Sequence, residues 1–159
     1  MAMHTWFECK IRYEKVMENG MQKKVTEPYL VDALSFTEAE ARIIEEMTPF
    51  ISGEFTVSDI KRANYSELFP SDEESADRWF KCKLIFITLD EKSGAEKKTS
   101  TQVLVQAADL RDAVKKLDEG MKGTMADYQI GMVSVTPLMD VYPYSAEPND
   151  KPEFDPAKS

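Results

Sequence analysis

The sequence predicts an α+β protein made by tandem duplication, with two strand–strand–helix–strand units, each with a short further strand, related by a pseudo-twofold axis. Three observations point there. Trp6-Phe7-Glu8-Cys9-Lys10-Ile11 returns 73 residues later as Trp79-Phe80-Lys81-Cys82-Lys83-Leu84. Between residues 20 and 47 the copies align without a gap and share nine identities in 28 positions, where typical residue frequencies would give about two. Apolar spacing also changes from period two to helical period in the same order in each copy. The repeats span 1–70 and 79–145, joined by an acidic linker at 71–78 and followed by an acidic, Pro-rich tail at 146–159.

Each element follows from local chemistry. A strand near residues 5–16 runs into Asn19-Gly20, a pair that tolerates the positive φ of a tight hairpin. The second copy turns at Asp90-Glu91-Lys92-Ser93-Gly94, one residue longer, which moves the offset to 74. Returning strands carry Leu30-Val31 and Leu104-Val105. Ser35 and Asp109 then occupy the same repeat position and can cap helices, with Glu38 and Asp112 three residues on. Phe36, Ala39, Ile43 and Met47 recur at helical spacing, as do Leu110, Ala113, Leu117 and Met121. Extended chain follows, Phe55, Val57 and Ile60 against Tyr128, Ile130 and Val133, and the copies close on Leu68-Phe69-Pro70 and Val141-Tyr142-Pro143. Ser71-Asp72-Glu73-Glu74 could open one helical turn. The expected body is a fused pseudo-dimer with two helices and six to eight mainly antiparallel strands.

Composition narrows the function classes. Net charge is −9, spread as −4 over 1–70, −3 over the linker, zero over 79–145 and −2 over the tail. Free nucleic acid is disfavoured as a partner, since binding it needs clustered cations. No apolar run reaches the ~18 residues of a membrane helix, and the start lacks the regions of a signal peptide, so cytoplasmic residence is expected. Cys9 and Cys82 alternate in phase with Phe7 and Phe80, which places both thiols in the core as small reduced residues. His4 is the only histidine, too few ligands for zinc. No metal or cofactor is expected. The tail, with Pro148, Pro152 and Pro156 among polar residues, is expected to be dispensable for folding, and Phe154 between Glu153 and Asp155 is a candidate docking motif.

Over residues 4–144 the chain resembles a family of short uncharacterised proteins, a domain of unknown function from gut anaerobes and their phages. Trp6-Phe7-Glu8-Cys9-Lys10, Thr37-Glu38-Ala39-Glu40-Ala41 and Trp79-Phe80-Lys81-Cys82-Lys83 carry the likeness. The resemblance implies a mobile-element or accessory setting and assigns no chemistry. The element order is also that of a β-grasp unit, an analogy that says nothing about activity.

No nucleophile with a positioned base, phosphate loop or metal motif is present, so an enzyme is not expected. One constellation stands out. Strand phase turns Trp6 and Lys10, and in the second copy Trp79, Lys81 and Lys83, away from the Cys9 and Cys82 face. An aromatic ring beside lysines could stack a planar ligand and pair its phosphate or carboxylate. Alternatively each indole covers the second face of its sheet. The function expected is a non-catalytic binding or adaptor protein that recognises a host or phage macromolecule. A small-ligand or nucleotide binder and an acidic nucleic-acid mimic stand as alternatives.

Overall fold

A computed structural model describes residues 5–124 and 127–143. The element order is β1 (Trp6–Val16), β2 (Gln22–Asp32), α1 (Phe36–Met47), β3 (Phe55–Ala63), β4 (Glu67–Phe69), β5 (Arg78–Leu89), β6 (Glu96–Ala107), α2 (Leu110–Gly120), β7 (Tyr128–Val135) and β8 (Asp140–Tyr142). The fold is α+β, with two helices and two four-stranded, mainly antiparallel sheets. Asn19-Gly20 turns the first hairpin with Gly20 at φ +83°, and Gly94 at φ +73° turns the second, both in the left-handed region that glycine enters without strain.

The sheets have orders β3-β1-β2-β8 and β4-β6-β5-β7. In repeat terms both read third, first, second and fourth strand, so the strand order of one repeats in the other. The fourth strand, however, comes from the opposite repeat. β8 pairs in parallel with β2 (Tyr29 opposite Asp140), and β4 pairs in parallel with β6 (Val103 opposite Glu67). The compact units therefore differ from the sequence repeats by one element: the first joins the residues up to Ala63 with those from Asp140, and the second spans Asn64 to Met139.

Each unit has its own core between helix and sheet. In the first, Phe7, Cys9, Ile11 and Val31 meet Ala39, Ile43 and Met47 of α1. In the second, Phe80, Cys82, Leu84 and Val105 meet Ala113 and Leu117 of α2. Helix starts are fixed as the spacing requires. The Ser35 hydroxyl accepts from the Glu38 N–H at 3.1 Å, and the Asp109 carboxylate from the Asp112 N–H at 2.8 Å. The return contacts reach one residue further back than the usual capping box: Glu38 accepts from the Leu34 N–H and Asp112 from the Ala108 N–H. The linker forms a turn rather than a helical one. The Ser71 hydroxyl accepts from the Glu73 N–H, and the Ala76 N–H closes on the Glu73 carbonyl.

β8 is short but well held. Val141 is buried, Tyr142 stacks on Tyr29 with centroids 6.2 Å apart, and Arg42 donates to the Asp32 and Pro143 carbonyls. Truncation after Met139 removes these contacts and should cost about 2–4 kcal/mol, the scale of losing a large buried side chain. Urea denaturation of the truncated chain against the full one measures it.

Candidate functional site

The strand phase of the tryptophans is as expected. Trp6 lies opposite Asp32 and Ala63, and Trp79 opposite Gln106, away from the Phe7 and Phe80 cores. Both indoles are nevertheless buried, at 5% and 6% exposure, as are Leu30, Asp32 and Leu104 on the same faces. A ring so enclosed offers no face for a planar ligand to stack on, and burial is what the covering alternative requires. Lys10, Lys81 and Lys83 stay half-buried at their strand positions, without an accessible aromatic beside them. Phe154 and His4 lie outside the described residues.

The thiols are free and buried. Burial, helped by Glu8 and Asp59, pushes Cys9 up from 9.0 to about 12. Burial alone pushes Cys82 to about 11. Neither is a thiolate near neutrality, and so neither is poised as a nucleophile or soft metal ligand. A groove beside Phe69 and Ser71 contains Lys116, but that ammonium is already engaged by Glu73 at 2.9 Å, Asp112 at 3.1 Å and the Ser71 hydroxyl at 3.1 Å.

The place where the two units diverge is the mouth between the helix start and the outer strand. In the first unit Phe7 and Phe36 pack edge to face at 4.9 Å, and the Arg62 guanidinium lies over both rings at 5.7 and 5.6 Å. That cation–π contact covers Phe7 at the mouth, while Phe36 stays 46% exposed. In the second unit the same repeat positions hold Phe80, Leu110 and Val135. No such contact forms, and a groove of about 450 Å³ lies there, floored by Phe80 and Val133 and walled by Leu110 and Val135. Leu110 and Val135 are 52% and 53% exposed. Arg78 and Arg111 stand on its rim, where the first unit has Thr5 and Thr37, beside Asp109, whose carboxylate caps α2. Both guanidinium groups are exposed, and among the described residues neither is engaged in an ion pair.

The outer strands differ in the same sense. β3 carries Asp59, Lys61 and Arg62, and β7 has Met132, Ser134 and Val135 at those positions. β7 thus presents eight residues without a charge along an open sheet edge. Sequence reasoning missed this site because it followed the positions the repeats share. The signal was present in the positions where they part.

Among the described residues no group of three or more His, Cys, Asp or Glu could hold a metal ion. No helix there is long and apolar enough to cross a membrane. Comparison with curated proteins found no match. A family model described as domain of unknown function (DUF4494) matches residues 5–144, spanning both repeats and every element that builds the groove and the β7 edge, and the chain belongs to that family.

Proposed function

We propose that this is a non-catalytic binding protein that recognises a macromolecular partner through its second unit. The observation that carries the reading is the unlike treatment of one site: Arg62 lies over its rings in the first unit, and in the second Val135 with Leu110 leaves an apolar groove without that cation. Keeping apolar side chains half in water is unfavourable for a free protein, and a bound partner relieves it. Two free, buried thiols support cytoplasmic residence. The family resemblance supports an accessory or mobile-element setting.

The test is affinity capture from the native cell with the wild-type chain and with Val135→Arg, which places the first unit's arginine at the matching position over Phe80. At a position this exposed the change should alter stability by no more than about 0.5 kcal/mol. A partner retained by wild type and lost by the variant is expected. Identical capture by the two overturns the assignment.

A further inference from the structure

The groove and the strand beside it form one surface. β7 ends at Val135, on the groove wall, and its outer edge is unpaired in the sheet order. Proteins usually blunt such an edge with a charge, a proline, a bulge or extreme shortness. The other three edges follow that rule: β4 and β8 have three residues each, and β3 carries Asp59, Lys61 and Arg62. Of these devices β7 has the bulge alone. Its one irregularity, a bulge between the Lys83 and Leu84 pairings, is shared with β3 at the matching step between Lys10 and Ile11.

We infer that β7 accepts a fifth strand, an extended acidic segment of a partner protein, by strand addition. The segment's backbone pairs with the N–H and C=O groups along the β7 edge that no described strand occupies, which supplies affinity regardless of sequence. An apolar side chain enters the groove between Leu110 and Val135, over Phe80. Carboxylates beside it meet Arg78 and Arg111, whose planar forks suit bidentate pairing. Charge complementarity selects this occupant. The chain carries −9 overall, yet this rim places two guanidinium groups, without an ion pair among the described residues, where the first unit has threonines; the one carboxylate in the lining, Asp109, is turned to the Asp112 N–H as the α2 cap, and β7 brings none. The inference rests on the binding reading above and names the class of partner.

Two synthetic ten-residue peptide libraries test it, each with a central Phe, Leu or Ile, flanked by glutamates in one and by lysines in the other. The full chain should retain the glutamate library about tenfold better, equivalent to one favourable ion pair. Val135→Arg should abolish retention, and the double variant Arg78→Glu/Arg111→Glu should reverse the charge preference. N-methylating alternate residues of a retained peptide should abolish binding in one register and spare it in the other, which a side-chain-only mode would not do. Equal retention of both libraries, retention that survives Val135→Arg, or indifference to N-methylation overturns the inference. So does a wild-type dimer that Val135→Arg dissociates, which would make a second copy the occupant. Binding seen only after truncation at Pro143 would assign the groove to this chain's own residues 144–159 and would equally overturn it. If neither library is retained while cellular capture still depends on Val135, strand addition fails and the binding reading stands. If capture loses that dependence, the binding reading itself fails.

Discussion

Trp6→Ala and Trp79→Ala should each destabilise the protein by about 3–5 kcal/mol, the usual cost of truncating a buried large aromatic. The indoles are 5% and 6% exposed, so truncation leaves a cavity rather than a smoother surface. Lys10→Ala and Lys83→Ala, at half-buried positions beside Cys-bearing core steps, serve as comparisons and should change stability by under about 1 kcal/mol. Urea denaturation of the four variants gives the answer. If either tryptophan variant loses less than about 1 kcal/mol, its ring is not part of the packed interior and the stacking reading regains its aromatic.

Raising the pH above 9 should weaken the fold steeply. In the unfolded chain a thiol ionises near its ordinary value of 9.0, whereas in the fold Cys9 and Cys82 hold their protons to about 12 and about 11. Native thiols therefore bind more protons than unfolded ones between pH 9 and those values. Stability is full below pH 9 and is lost as pH rises through the window. At pH 10.5 the loss is about 2 kcal/mol for each thiol. Tyr142, pushed to about 12 by burial with Asp140 and Glu46 nearby, acts in the same direction. So do Tyr13 and Tyr29, raised by burial and by Glu27, which accepts from both hydroxyls. Denaturation midpoints at pH 8 and 10.5 measure the slope, and the double variant Cys9→Ala/Cys82→Ala should flatten it. An unchanged slope in that variant would show that the thiols are not its source.

The element types were legible in the sequence because they depend on local rules. Asn19-Gly20, Ser35 with Glu38, Asp109 with Asp112 and the apolar stripes of α1 and α2 each act within a few residues, and each forms the expected structure. Period-two alternation also placed Trp6 and Trp79 on the correct face. What it could not tell was whether that face is covered, since phase assigns a side and not a neighbour. A hint lay in the adjacent apolar pairs Trp6-Phe7, Leu30-Val31, Trp79-Phe80 and Leu104-Val105. Strands that are apolar in both phases are buried on both faces.

The origin of each fourth strand was beyond reach for a different reason. Leu68-Phe69 and Val141-Tyr142 occupy equivalent positions with equivalent chemistry, so exchanging them conserves the pairing pattern on β2 and β6. The one record of the choice is Gly120, where a Cβ would fall 2.8 Å from the Phe69 ring and where the first repeat has Glu46. The groove, by contrast, was written in the sequence as Arg62 against Val135 and Phe36 against Leu110. It needed the geometry of Arg62 over two rings to show what the difference does.

The exchanged strands also impose an order in time. Strands β4 to β7 all lie between Glu67 and Val135, so the second sheet has every component once the chain has been synthesised to that point. The first sheet begins with Trp6 but lacks its fourth strand until Tyr142 has emerged. Its closing pair, Tyr29 with Asp140, spans most of the polypeptide, a non-local contact of the kind that slows folding. During translation the unit begun first is thus the unit completed last, and the β2 edge stays open to unwanted pairing for as long as the ribosome takes to make the second repeat.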